Sequence, residues 1–355
     1  MEARFTHLVD TIHAGSMPEK AELAACIASA DTQTRDHAAC LAREVTLANF
    51  GDAVFVRGLV EFSNHCRNDC FYCGIRRSND RVRRYRLTMD EVLECCREGY
   101  GLGFRTFVLQ GGEDGYFTDD RLVALVAAIR SEFPDCAITL SVGERRAESY
   151  ESLFRAGADR YLLRHETADA SHYGELHPEG MALASRMDCL RELKRVGFQV
   201  GAGFMVGSPG QTPEHLAGEL LFLRDLAPEM IGLGPFLPHA DTPFAHSPAG
   251  DVETVLFMLS LVRLSLPFAL IPATTALGTA REGGRERGIL AGANVVMPNL
   301  SPLRVRDSYA LYDGKLNSGL EAAENVAALR KSLAAIGRRV VVDRGDYSGV
   351  SRQAQ

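Results

Sequence analysis

An alternation of short β-rich runs with helical patterns constrains the fold more than any other feature of this 355-residue chain. The candidate strands occupy residues 54–62, 106–110, 137–141, 160–164, 199–203, 230–234, 268–272 and 294–297. Helical patterns separate them, and one begins with the capping box Thr88-Met89-Asp90-Glu91. Strands that alternate with helices pair in parallel through right-handed crossovers. Eight such units predict an α/β fold, a (β/α)8 TIM barrel, with an open doubly wound sheet as the alternative.

The chain before the first strand predicts an N-terminal helical extension. Residues 1–52 mix apolar and charged side chains at helical spacing, which favours a cap over a separate binding module. The barrel is expected over 53–340, with a cysteine-bearing loop at 64–76 and a biotin-synthase-like C-terminal part. Residues 341–355 are interpreted as a tail.

Composition narrows the function classes. A formal net charge of −7 gives no basic field for nucleic acid. The sequence contains no run of about 20 apolar residues, so no membrane-spanning helix is predicted. The odd number of cysteines, nine, and an N-terminus without an apolar run favour a reducing compartment and no signal peptide. We therefore expect a cytoplasmic protein.

Polar clusters follow several of the candidate strands. They lie at residues 64–76, 110–114, 141–144, 164–167 and 272–275. Active sites of (β/α)8 barrels are built at the carboxyl ends of the strands. The sequence therefore predicts that these clusters meet in one site.

The first of these clusters carries three cysteines, Cys66, Cys70 and Cys73, at the spacing C-x3-C-x2-C. An ordinary 4Fe–4S site takes four thiolates, so three would leave one iron open for chemistry. Structural zinc prefers four ligands, commonly as paired C-x2-C units, and His65 adjoins Cys66 too closely for comfortable tetrahedral geometry. A redox cluster is favoured over a zinc-stabilised interaction protein.

This spacing resembles that of the radical S-adenosylmethionine (SAM) superfamily, in which SAM chelates the fourth iron. Gly111-Gly112-Glu113 resembles the superfamily's GGE motif, which receives the SAM amino group; a plain strand-to-helix turn is the alternative. The candidate SAM contacts are Tyr72, Gly111, Gly112, Glu113, Ser141, Glu166, Arg186 and Met205. For Met205, core packing is favoured over a SAM contact. For Arg186, a solvated helix face is as acceptable as a SAM contact.

Two further patterns leave alternatives open. Arg164 and Glu166 point the same way along a strand, so they form either a simple salt bridge or a clamp for SAM and a substrate carboxylate. A basic run contains Arg76, Arg77, Arg81, Arg83, Arg84 and Arg86. This run is either a solvated face or a recruiting surface for an anionic substrate or an iron–sulfur electron donor.

Longer segments resemble the HydE family of iron-only (FeFe) hydrogenase maturation enzymes. They span residues 61–64, 74–77, 161–167, 234–243, 271–276 and 292–299. The resemblance implies a barrel with the biotin-synthase layout, one 4Fe–4S cluster held by Cys66, Cys70 and Cys73, and SAM. It also implies a 5′-deoxyadenosyl radical that acts on a cysteine-bound iron carbonyl cyanide precursor.

The family further implies a substrate end and partners. The residues expected at the substrate end are Gln110, Arg164, Thr274, Thr275, Met297 and Tyr309. A small-molecule or organometallic substrate, a ferredoxin- or flavodoxin-type electron donor and other hydrogenase maturation proteins are the expected partners. Some HydE enzymes bind an accessory C-terminal cluster, but here no cysteine follows Cys189. We therefore predict a single cluster.

Three other functions compete with this prediction. A radical SAM mutase of the methylornithine-synthase type shares the layout and acts on an amino acid. A biotin-synthase-like sulfur insertase is less favoured, because ligands for its auxiliary cluster are not evident. A non-catalytic iron–sulfur scaffold would hold a labile cluster and cleave no SAM.

Overall fold

The computed structural model describes residues 2–316 and 322–349. Its strands are β1 (Ala53–Val56), β2 (Gly58–Ser63), β3 (Thr106–Gly111), β4 (Ala137–Ser141), β5 (Arg160–Leu162), β6 (Gln199–Val206), β7 (Met230–Pro235), β8 (Val295–Val296) and β9 (Arg339–Val341). Its helices are α1 (Glu2–His13), α2 (Lys20–Ser29), α3 (Thr32–Phe50), α4 (Met89–Gly101), α5 (Asp119–Glu132), α6 (Ala147–Arg155), α7 (Ala170–Leu176), α8 (Leu183–Val196), α9 (Pro213–Leu226), α10 (Val252–Ser265), α11 (Thr275–Ala280), α12 (Gly284–Leu290), α13 (Leu303–Arg306) and α14 (Ala322–Ala335). None of these described helices is both long and apolar enough to cross a membrane.

The strands close into the predicted barrel. Six of them, β2 to β7, form one parallel sheet in sequence order. Isolated bridges from Met230 to Leu270 and from Pro272 to Val295 continue the circle to β8. It closes where β8 pairs with β1 and where Leu59 bridges Asn299. The (β/α)8 prediction is confirmed, and the open sheet is excluded.

The seventh predicted strand, residues 268–272, forms these bridges rather than a ladder. Pro272 has no N–H group to donate to a neighbouring strand. The segment is still held by backbone hydrogen bonds on both sides. Leu270 N donates to Glu229 O at 2.9 Å, Ala273 N donates to Val295 O at 2.9 Å, and the Ile271 carbonyl accepts from Asn294 N at 2.9 Å. Its position in the barrel agrees with the prediction, but its length as a strand does not.

The N-terminal helices pack on the outside of the barrel. Helix α2 packs against α9, and α1 and α3 pack against α10. The extension therefore thickens the helical layer on one side. It leaves the carboxyl ends of the strands to the loops.

The C-terminal segment packs at the end of the barrel where the strands begin, opposite the carboxyl ends of the strands. Strand β9 pairs in parallel with β1, and it spans the predicted boundary at residue 340. The fully buried Arg160 side chain donates to the carbonyl groups of Arg344 and Gly345 and to the carboxylate of Asp346. Residues 350–355 of the predicted tail lie outside the described residues.

Candidate active site

The cysteine loop follows β2 and is pinned by polar side chains. Buried Asn64 donates to the carbonyl groups of Arg83 and Ser308 at 2.8 and 2.6 Å. Asp69 accepts two hydrogen bonds from Arg76 at 2.8 and 2.7 Å, and two more from the amide and hydroxyl groups of Ser78. These contacts fix the backbone that carries the three thiols.

Arg84 stabilises the same loop through hydrogen bonds to its backbone. Its guanidinium donates to four carbonyl groups, those of Asn64, Ile75, Arg76 and Asn79. Because carbonyl oxygens carry no net charge, this arginine holds the loop together without losing its own positive charge. Arg76 and Arg84 are therefore structural members of the basic run.

The three thiols share a buried environment. Burial raises the pKa of the Cys66 thiol and raises that of Cys70 to about 12. Burial and the neighbouring cysteines raise the pKa of Cys73 as well. Without a metal the thiols hold their protons, so loading of a cluster must release protons.

The thiols face a cavity of about 290 Å³ inside the carboxyl end of the barrel. The predicted residues that line this cavity are Cys66, Cys70, Tyr72, Cys73, Gln110, Gly111, Gly112, Glu113, Ser141, Arg164, Glu166, Arg186, Thr274, Met297 and Tyr309. They come from six different strand ends, from α8, which carries Arg186, and from the C-terminal segment. The structure thus brings together the polar clusters that the sequence places at strand ends.

Gly112 lies directly against the cysteine loop. A β-carbon at this position would lie 2.3 Å from the His65 carbonyl oxygen and 2.7 Å from the Cys66 β-carbon. Only glycine allows this approach. At Gly111 the nearest atom would be 3.3 Å away, on the ring of Phe62.

Glu113 and Arg186 belong to one charged group beside the glycines. The Glu113 carboxylate accepts from Arg67 Nε and from the amide of Glu144, both at 3.0 Å. Arg186 Nε lies 2.7 Å from Glu144 Oε1, and Arg186 Nη1 donates to the Arg164 carbonyl at 3.1 Å. The Arg186 side chain is only 12% exposed, so the solvated-face interpretation is wrong.

Arg164 and Glu166 form the ion pair that the strand pattern allows. Arg164 Nη2 donates to Glu166 Oε2 at 3.0 Å and to the Phe204 carbonyl at 2.8 Å. Glu166 adopts φ 66°, a left-handed conformation that is costly for a residue with a side chain. The surroundings must hold this backbone in place.

A buried pair behind the strand end supplies that support. His165 Nε2 donates to Glu219 Oε2 at 2.6 Å, and both side chains are fully buried. The second carboxylate oxygen accepts from the amide of Ala168, and His165 Nδ1 accepts from the amide of Gly203. Glu219, on α9, thus ties the segment around Glu166 to the helical layer.

The predicted substrate residues divide into two groups. Gln110 and Tyr309 both line the main cavity. Thr274 lines the cavity, whereas Thr275 lines a separate pocket of about 180 Å³, and Met297 borders both. Thr275 is therefore not in the main cavity, because the chain turns into α11 at this residue.

The predicted SAM contacts Met205 and Tyr72 differ in where they lie. Met205 is 8% exposed and packs with Leu176 and Phe236 rather than lining the cavity, which agrees with the core-packing interpretation. Tyr72 lines the cavity, and its hydroxyl lies 3.2 Å from His177 Nε2.

The sequence did not single out two polar residues inside the barrel. Arg57, between β1 and β2, and Thr139, on β4, both line the cavity. Arg57 Nε and Nη2, Thr139 Oγ1 and Arg164 Nε are buried, and the described residues give them no hydrogen-bond partner. Such orphaned groups fit a polar, anionic ligand, as SAM with its carboxylate is.

The thiol arrangement also fits a cluster. In the described residues, no three His, Cys, Asp or Glu side chains converge on the position of a single ion. In a 4Fe–4S cluster each cysteine binds a different iron, so the thiols need not converge.

Comparison with known proteins agrees with this geometry. Residues 60–223, which include the cysteine loop, Glu166 and Arg186, match the model of the Radical SAM superfamily. The fold and the site together define a radical SAM protein, a class that uses a 4Fe–4S cluster and SAM.

Relatives specify the family further. The [FeFe] hydrogenase maturase subunit HydE of Thermotoga maritima is 44% identical over 305 residues, which cover 86% of this chain and 87% of that protein. The 3-methylornithine synthase of Methanosarcina barkeri is 32% identical over 282 residues, 78% of this chain and 77% of that protein. The chain belongs to the HydE family of radical SAM proteins.

Solved structures share the fold. Methylornithine synthase (PylB) superposes with a TM-score of 0.82 at 28% identity, over 94% of this chain and 97% of that chain. The FeFe-hydrogenase maturase HydG from Carboxydothermus hydrogenoformans gives 0.78 at 19% identity, over 96% and 80%. At that identity the HydG match concerns the fold alone.

Proposed function

We propose that this protein is a radical SAM enzyme of FeFe-hydrogenase maturation. When bound, the cluster and SAM supply a 5′-deoxyadenosyl radical for chemistry on a cysteine-bound Fe(CO)2(CN) precursor of the diiron centre. The observation that carries the proposal is the cavity at the carboxyl end of the barrel. Three thiols, Gly112 and the Arg164–Glu166 pair meet there, in a chain 44% identical to a HydE maturase.

Each part of the cavity has a separate task. Cys66, Cys70 and Cys73 hold the cluster, and Gly111 and Gly112 let the backbone come close to SAM. Arg186 and the orphaned Nε of Arg164 offer positive charge to carboxylates. Gln110, Thr274, Met297 and Tyr309 line the substrate end. The enclosing barrel excludes water, which would otherwise quench reactive species.

Restoration of hydrogenase maturation tests this proposal. The reconstituted protein is added to a maturation mixture that has every component except a HydE-type enzyme, and hydrogen evolution is measured. We expect activity with the wild-type chain and none with Cys70→Ser. Wild-type protein that cleaves SAM but restores no hydrogenase activity would contradict the maturation role.

The second candidate function is a mutase that acts on an amino acid. It is favoured by the fold match to methylornithine synthase. Arg164 and Thr274, which line the same cavity, would also receive an amino-acid carboxylate. Incubation with lysine, SAM and reductant distinguishes the two. Formation of a branched isomer of lysine, detected by mass spectrometry, would select the mutase.

The proposed protein carries one cluster. The cysteines outside the loop are scattered, and none follows Cys189. Residues 317–319 of the C-terminal segment lie outside the described residues. Iron and sulfide analysis after reconstitution is expected to give about four of each per chain. About eight irons in the wild type, of which about four remain in Cys70→Ser, would contradict a single cluster.

The expected partners and location belong to the same proposal. A low-potential ferredoxin or flavodoxin would deliver electrons, and other maturation proteins would supply or receive the precursor. A cytoplasmic location suits the chain because its nine cysteines are all free thiols.

A further inference from the structure

The outer face of the cysteine loop forms a shallow basic depression of about 310 Å³. We call it the basic bowl and define it by Arg67, Arg77, Arg84 and Arg86 around Cys66. Of the three cysteines, Cys66 alone lines it. The bowl therefore lies outside the main cavity but shares Cys66 and Glu113 with its wall.

The bowl keeps a positive charge although it contains two acidic residues. The Glu113 and Asp114 carboxylates are nearly buried and are engaged by Arg67 at 3.0 Å and by Arg86 at 2.7 Å. The Arg84 guanidinium donates its hydrogen bonds to backbone carbonyl groups, so no carboxylate neutralises its charge. Arg77 is exposed, and the described residues give it no carboxylate partner. Two positive charges thus remain uncompensated.

This local charge contrasts with the whole molecule. The chain carries a formal net charge of −7, so an acidic protein is repelled by most of its surface. The bowl and its exposed neighbour Arg83 offer an attractive patch where the cluster loop reaches solvent. Electrostatic complementarity of this kind steers encounter and fixes orientation.

We propose that the basic bowl is the docking surface for an acidic one-electron carrier protein that contains a flavin. The reduced carrier loses one electron, and the cluster behind Cys66 gains it; no bond forms or breaks, and no proton is transferred. Electron transfer slows steeply with distance, so the carrier must approach where a cluster ligand lines the surface. This inference rests on the proposed function, because it assumes a cluster in the loop.

The test uses the double variant Arg77→Glu, Arg83→Glu in the full-length, reconstituted protein. Neither arginine faces the cavity. A control for charge reversal elsewhere on the surface is Arg191→Glu, an arginine on α8 whose side chain is 70% exposed. The probe is a flavodoxin hydroquinone, and sodium dithionite serves as a small reductant.

Two readouts are measured. The first is the Kd for flavodoxin, obtained by titration at low salt and at 0.15 M salt. We expect the double variant to weaken binding about tenfold or more at low salt, and salt to reduce the difference. The second is the rate of cluster reduction, which should fall with flavodoxin and stay unchanged with dithionite. The Arg191→Glu control is expected to match the wild type in both.

Several results would overturn the proposal. Unchanged flavodoxin affinity in the double variant is one. Equal slowing with dithionite is another, because it would locate the damage in the loop rather than at a docking surface. A raised KM for an anionic substrate at unchanged flavodoxin affinity would assign the bowl to substrate recruitment instead. If dithionite-reduced wild-type protein cleaves no SAM, the proposed function fails, while the affinity comparison still tests the bowl.

Discussion

Replacement of Gly112 by alanine is expected to abolish most cluster-dependent SAM binding. The new β-carbon would lie 2.3 Å from the His65 carbonyl and 2.7 Å from Cys66, and both clashes involve the loop that carries the thiols. Relieving these two clashes requires a backbone shift that costs about 1–3 kcal/mol. This corresponds to about 5- to 150-fold weaker affinity. SAM affinity of the reconstituted, reduced protein measures it.

Two neighbouring glycines provide controls for this substitution. Gly115→Ala places its β-carbon in open space, with no atom within 4 Å, and is expected to bind SAM like the wild type. Gly111→Ala meets its nearest atom at 3.3 Å and is expected to have a small effect. Equal affinities for Gly112→Ala and Gly115→Ala would show that the close approach at Gly112 is not required.

Replacement of Glu219 by alanine is expected to destabilise the fold strongly. It leaves His165 Nε2 and the amide of Ala168 buried without an acceptor. Removal of one partner from a buried pair costs about 3–5 kcal/mol. Chemical unfolding measures this loss. The exposed Glu214→Ala variant on the same helix is the control. It loses only a favourable position in the first turn and is expected to change stability by less than about 1 kcal/mol.

The variant Glu219→Gln separates positioning from stability. An amide keeps one acceptor oxygen, so this protein is expected to fold but to hold the strand end around Glu166 less well. Because Glu166 needs support at φ 66°, we expect the KM for SAM to rise more than kcat falls. An unchanged KM for SAM, together with lower stability, would show that the His165–Glu219 pair has a purely structural role.

Much of the barrel was predictable because its strands have strong local signals. β2 and β7 are buried along their whole length, and their apolar runs reveal them. β9 was not predicted, because a three-residue strand after a helix carries almost no local pattern. Only its pairing with β1, far away in the sequence, makes it a strand.

The site was predictable where one topological rule applies. The carboxyl ends of parallel strands meet at one end of a barrel, so Cys66, Gly112 and Arg164 converge although about 100 residues separate the first from the last. The same rule does not decide which of two adjacent residues faces inward. Thr274 lines the cavity and Thr275 does not, because the chain turns into a helix between them.

Tertiary contacts explain what the sequence could not indicate. Arg57 lies at the amino-terminal side of β2, away from the strand ends, yet its side chain reaches the cavity through the barrel interior. Strand tilt and stagger determine that reach, and neither has a local signature. Glu219 looks like an ordinary helix residue until α9 packs against the end of β5.

The central claim is that the three-cysteine loop supports reductive SAM cleavage. Its most direct test is anaerobic reconstitution with iron and sulfide, reduction in the presence of SAM, and quantification of 5′-deoxyadenosine. We expect product from the wild type and from Cys40→Ser, which alters an exposed cysteine on α3, and none from Cys70→Ser. A bound cluster without SAM cleavage, or colourless protein that holds zinc, would contradict the claim.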